Sequence, residues 1–146
     1  MHTLEQVLRN RHLVTAGPEE AVLEVLRRMT EARVGAIVVL AGDRLVGIFS
    51  ERDLMTRVVV PGIDPATTKV EAVMTRQVVT ADLRDTRDAS LRKMQSLGCR
   101  HLPVLADGRV LAMLSMRDLL RDEIQEQSEE IQHLRAYVYQ TPPVNS

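Results

Sequence analysis

The chain has 146 residues, 45% of them hydrophobic and 27% charged, with 19 Lys and Arg against 20 Asp and Glu for a formal net charge of −1. That length suits one domain or two small halves sharing a core, and the balanced charge excludes a general nucleic-acid binder, which needs a basic surplus to neutralise phosphates. A single cysteine, Cys99, excludes an internal disulfide framework and a cysteine-based zinc site, and 2% aromatics leave an aliphatic core and no stacking platform for single strands.

The N-terminal stretch MHTLEQVLRNRH carries Glu5 and several arginines and lacks the apolar run of a secretory signal. Leu4 to Leu8 reads as a brief helical lead-in, and Leu13-Val14-Thr15 as a short strand. Ala16 to Glu20 opens a helix, with Pro18 in its first turn and acids near its positive end. Val22, Val25, Leu26, Met29 and Ala32 then recur at helical spacing. Val34 to Leu40 is a nearly unbroken β-branched apolar run, which predicts a strand buried on both faces. It is far shorter than the roughly 20 residues of a membrane helix, so the expectation is a cytoplasmic protein in a reducing compartment.

Ala41-Gly42-Asp43-Arg44 is a tight turn, and Leu45 to Phe49 completes a hairpin. Ser50 starts a second helix that runs to about Val60, and Pro61-Gly62-Ile63-Asp64-Pro65 is rich in turn formers. A helical turn, Val70 to Val73, leads onward. Strand Val78-Val79-Thr80 follows, then helix Arg87 to Leu97, strand Arg100 to Leu105, turn Ala106-Asp107-Gly108, strand Arg109 to Leu114 and a helix from Ser115.

This second half is a copy of the first, displaced by 65 positions without a gap. Val14-Thr15 falls on Val79-Thr80, Leu26-Arg27 on Leu91-Arg92 and Met29 on Met94. Ser50-Glu51-Arg52-Asp53-Leu54 falls on Ser115-Met116-Arg117-Asp118-Leu119. The order in each half is β-α-β-β-α, an α+β (α/β-like) architecture of two pseudo-symmetric units. Halves of about 60 residues bury too little alone, so the expectation is that they pack through their sheets, with Met29 and Met94 at the contact.

The repeated Ser-x-x-Asp has two readings. As a capping box it satisfies backbone N–H groups at a helix start and does nothing more. Placed twice after a hairpin strand, it also suits a nucleotide. The helix N-terminus and a small hydroxyl meet phosphate, and the carboxylate accepts the two hydroxyls of a ribose. Gly47 is expected to let such a ligand approach the backbone.

The duplicated unit, with apolar-x-Gly-apolar-apolar-Ser-x-x-Asp closing its first copy, resembles a tandem pair of CBS (cystathionine β-synthase) motifs, a Bateman module. The resemblance covers about residues 7 to 124. It implies a first motif over 7–60, a linker over 61–71, a second motif over 72–124, and a helix and tail over 125–146. It implies two clefts for adenosine-containing ligands (AMP, ADP, ATP, S-adenosylmethionine or NAD), a homodimer, and control of an unidentified partner protein. In the first cleft it implies that Asp53 holds ribose, Ser50 and Arg52 face phosphate, and Thr15, Ala36 and Ile37 lie along the base. In the second, Asp118 would hold ribose, Ser115 and Arg117 phosphate, and Thr80, Leu102 and Pro103 the base. Arg100 and His101 stand where the first half has Gly35 and Ala36, so they would enrich the second cleft's phosphate end. The second copy departs at Ala112, where the family has Gly; the added methyl would narrow that cleft or be harmless.

No residues suggest an enzyme. Cys99 and His101 are close in sequence, but Cys99 falls at a helix-to-strand turn and reads as a small buried thiol. His2, His12 and His133 lack metal-ligand spacing, so neither a metal nor a catalytic cofactor is expected. The last helix runs on to about Tyr139, with Leu120, Ile124, Gln127, Ile131, Leu134 and Val138 in a heptad seam interrupted by one Gln. It reads as packing on its own module, as a dimer contact or as a docking handle. Residues 141–146 read as a frayed tail. The competing overall reading is an interaction protein with vestigial clefts, dimerising through the module and this helix.

Overall fold

The computed structural model describes residues 2–8 and 12–140, with Gln140 by its backbone alone; the predicted frayed tail lies outside them. The elements are α1 (Leu4–Val7), β1 (Thr15–Ala16), α2 (Val22–Ala32), β2 (Ala36–Ala41), β3 (Arg44–Ser50), α3 (Glu51–Asp53), β4 (Ala81–Asp82), α4 (Arg87–Leu97), β5 (His101–Ala106), β6 (Arg109–Ser115) and α5 (Met116–Gln140). They make two three-stranded mixed sheets, β1-β2-β3 and β4-β5-β6. In each, the short first strand is parallel to the second and the hairpin is antiparallel. The repeat holds to the residue. Ala36 pairs with Ser50 and His101 with Ser115, and the register shifts at Val39/Leu40 and again at Val104/Leu105.

The leading strands sit later than predicted. Thr15–Ala16 and Ala81–Asp82 pair with the second strands, and Val78 to Thr80 lies outside β4. α2 starts at Val22 rather than near Pro18, because the Glu20 carboxylate turns back to accept the Gly17 N–H at 2.7 Å. The second half repeats the device with the Asp85 carboxylate and the Asp82 N–H at 3.0 Å. Beyond Asp53, the helix from Ser50 widens into a π-helical stretch, Leu54–Val59, in which the Val60 N–H donates to the Met55 carbonyl.

Two aliphatic cores form, one per half. The first gathers Val22, Val25, Met29, Ile37, Val39 and Phe49. The second gathers Met94, Leu102, Val104, Leu114 and Leu119. Met29 and Met94 therefore lie in separate cores, not together at the contact between halves. Strand alternation turns Ala36 and Val38, and opposite them His101 and Pro103, to the other face of each sheet. Ala36, Val38 and Pro103 are all buried there.

Each core is completed by the segment that leads into the other half. Val70, Val73 and Met74 enter the first core, whereas Leu4 and Leu8 enter the second. Backbone bonds fix both crossings. The Val22 N–H donates to the Thr68 carbonyl and the Val70 N–H to Glu20, while Leu4 donates to Asp85 and Arg87 to His2.

Candidate functional site

The N-termini of α3 and α5 carry the repeated motif. Ser50 has extended backbone, and its hydroxyl accepts the Asp53 N–H at 3.3 Å. Asp53 returns the contact: its Oδ2 accepts the Ser50 N–H at 3.0 Å and the Ser50 hydroxyl at 3.1 Å. In the second half the Ser115 hydroxyl accepts the Asp118 N–H at 3.1 Å and the Asp118 Oδ2 accepts the Ser115 N–H at 3.0 Å. Both acids are buried, at 5% and 8% exposure, so each motif is a formed capping box inside the fold.

The two carboxylates have different surroundings. The other Asp53 oxygen, Oδ1, accepts the Thr75 hydroxyl at 2.9 Å and lies 3.6 Å from Arg57 Nε. Thr75 was not among the residues picked from sequence, because it comes from the segment that crosses between halves. Arg57 is a helical turn beyond Asp53, and its counterpart in the second half is Asp122. Asp122 turns instead to Arg87 at 2.9 Å and to His2 at 2.8 Å. The Arg87 guanidinium also bonds Glu126. Burial works against the Arg87 charge, but these carboxylates hold its pKa above the usual arginine value. His2, Asp122 and Glu126 thus come together, which the histidine spacing does not suggest, and two of them, Asp122 and Glu126, bind the Arg87 guanidinium.

Gly47 serves a different purpose from the one expected. A Cβ there would lie 2.6 Å from the Met74 sulfur and 2.8 Å from the Thr75 carbonyl oxygen. The missing side chain admits the crossing segment, which pairs with Ile48 through bonds of 3.0 Å and 2.8 Å. Ala112 at the matching position points into the second core and is 3% exposed, so its methyl does not narrow a cleft.

Of the residues expected along a base, Ile37 and Leu102 turn their side chains into the cores and present only backbone to the sheet contact. Ala36 faces that contact as the strand partner of Ser50, and Pro103 lies on the matching face of β5. The Thr15 carbonyl accepts Arg28 at 2.8 Å, and the Thr80 carbonyl accepts Lys93, the same position one repeat later. Arg52, Arg100 and Arg117 are exposed.

His101 marks where the halves differ most. It is the strand partner of Ser115, and it feels the negative charge of Asp118 from its own half and of Glu51 from the other. Burial pushes its pKa below the usual histidine value; the two carboxylates oppose that shift and Arg100 adds to it. The matching positions for His101 and Glu51 are Ala36 and Met116, so the pseudo-symmetric contact is apolar on one side and ionisable on the other.

Two open hollows lie elsewhere. One of about 420 Å³ is lined by Gly17 to Glu20 and Leu40 to Gly42. One of about 330 Å³ is lined by Arg57, Arg76 and Thr75 among others, and so reaches the two partners of Asp53. Ser50, Asp53, Ser115 and Asp118 are in neither wall. No helix among the described residues is long and apolar enough to cross a membrane.

The CBS domain family model matches residues 4–60 and 70–124. A mitochondrial CBS domain-containing protein of Arabidopsis thaliana is 33% identical over 127 residues, which are 82% of this chain and 61% of that protein. The chain thus spans about three fifths of that relative's length. A CBS-domain containing protein from Agrobacterium tumefaciens, known by crystal structure, is 30% identical, with a TM-score of 0.77 over 84% of this chain and 99% of that one. A CBS domain protein from Pyrobaculum aerophilum, complexed with AMP, is 26% identical, with a TM-score of 0.74 over 80% of this chain and 89% of that one.

Proposed function

The chain belongs to the CBS domain family, as a tandem pair of the motif, and from that premise we propose that it is a regulatory module sensing an adenosine-containing nucleotide. One observation carries the proposal: the doubled Ser–Asp cap, in register, with Arg100 and His101 added beside the second copy only. The AMP complex of the Pyrobaculum relative supports the ligand class.

The second cleft is the stronger site in this reading. Arg100 and Arg117 bring exposed guanidiniums, which suit phosphate oxygens, to the start of β5 and the start of α5. Asp118 is buried at the start of α5, where its carboxylate would accept ribose hydroxyls. Ala36 and Pro103 give the base aliphatic walls. In the first cleft, ribose must displace the Thr75 hydroxyl from Asp53 before Ser50 and Arg52 can act on phosphate.

The module is no enzyme in this proposal, and it needs no catalytic cofactor. Its output passes to a second copy of the chain or to a regulated protein in the cytoplasm. That requires the ligand to bind two arrangements with different affinity.

A thermal denaturation series with AMP, ADP, ATP, S-adenosylmethionine and NAD tests it. At 100 times the dissociation constant the bound form gains about 2.7 kcal/mol. Asp118→Ala should abolish the shift while costing about 1 kcal/mol for the lost cap. No shift with any of the five at millimolar concentration would sink the sensor reading. It would leave the second reading, an interaction protein whose motifs only cap helices. That reading draws on Asp53, both of whose oxygens are engaged within the protein.

A further inference from the structure

α5 continues well past the module. Its first turns are anchored: Leu119 is in the second core, and Asp122 and Glu126 grip Arg87. From Gln127 onward every described side chain is exposed, over a length of about 20 Å. Yet this segment is not polar all round. Ile131, Leu134 and Val138 are 50%, 65% and 66% exposed, and they continue a stripe begun by Leu120 and Ile124 on the module itself.

We infer that this stripe is the seam of a parallel, two-stranded coiled coil with α5 of a second copy of the chain. Three features of the residues select that occupant. Placing Ile124, Ile131 and Val138 at the heptad's a positions puts Leu120, Gln127 and Leu134 at d. β-Branched residues at a with leucine at d is the choice that favours two parallel strands.

The charges agree. Glu130 then falls at g and Arg135 at the following e, so in a parallel pair each Glu130 faces the other copy's Arg135. An antiparallel pair opposes like positions, setting Glu130 against Glu130 and Arg121 against Arg135. The one polar residue in the seam, Gln127, meets its own copy in the parallel register, where the two amides hydrogen-bond to each other. Antiparallel, it is buried against Ile131. The usual cost of starting a helix is already met, because the fold anchors the first turns of α5.

This inference does not rest on nucleotide binding, and its test uses no ligand. The full chain carrying Cys99→Ser and Leu134→Cys is oxidised with a glutathione buffer and run without reductant. A disulfide-linked dimer is expected. Its yield should be several-fold above that of Cys99→Ser with Glu129→Cys, whose thiol lies on the opposite helix face. Adding Glu130→Arg to the Leu134→Cys chain should lower the yield about threefold or more, and adding Arg135→Glu as well should restore it. No dimer above the Glu129→Cys level overturns the inference, whether the stripe serves another protein or nothing. A yield that Glu130→Arg leaves unchanged overturns the parallel register, since only there does Glu130 face Arg135 of the other copy. Both outcomes leave the thermal-shift result with nucleotides untouched.

Discussion

Single side chains hold the backbone where the site needs it. The Glu20 carboxylate is the clearest case. The Arg28 guanidinium, at 2.5 Å and 2.8 Å, and the Gly17 N–H hold its pKa down at about 2, against a partial burial that works the other way. Arg28 at the same time carries the Thr15 carbonyl. A lowered carboxylate pKa gives stability that is complete above the ordinary value near 4.5 and is lost as pH falls toward 2. Urea midpoints between pH 6 and pH 2 should show that slope, and Glu20→Gln should flatten it. The pair is about one third exposed, so the loss at pH 6 should be about 1 kcal/mol. The Glu20–Arg28 pairing spans eight residues and gives no sequence signal, unlike the Ser–Asp caps, whose three-residue spacing is enough to read them. Thr75 is invisible in the same way: it bonds Asp53 from 22 residues off.

Elements differ between the halves where one residue alters what can lie against them. Strands β3 and β6 are copies in register, but Gly47 admits Met74 and Thr75, and Ala112 fills a core. Gly47→Ala should cost about 1–3 kcal/mol in denaturant unfolding, since a methyl 2.8 Å from a backbone oxygen forces the crossing segment outward. Ala112→Gly should cost about 1 kcal/mol, through lost packing and strand entropy. Equal small effects at both sites would overturn the assignment. The glycine was legible as a close backbone approach. What approaches it was not, because only the chain path brings residue 74 beside residue 47.

The whole molecule is tied together by exchange. Two β-α-β-β-α units, each too small to be secure, finish each other's cores with Leu4 and Leu8 on one side and Val70 to Met74 on the other. Leu4→Ala should therefore lower the stability of the entire chain by about 2–5 kcal/mol in a single cooperative transition, although Leu4 precedes the first half. A biphasic urea curve, with the second half melting first and the first unchanged, would refute that coupling. Under the proposed function, such coupling would let a ligand bound at either Ser–Asp cap act on the whole body at once.

The amino-acid sequence by itself determined the duplication, its 65-residue register, the hairpins, the two caps and the stripe on α5. All of these are local or periodic, set by residues within a few positions or by the repeat of a pattern. Tertiary structure alone decided which core each lead-in segment joins, what Gly47 accommodates, which acids Arg87 holds, and that the charge of Glu51 reaches His101. Those contacts join residues far apart in the chain, and a periodicity carries no information about which distant segment will arrive. The shared motif made the halves look equivalent; the crossing segments and the His101–Glu51 side made them different.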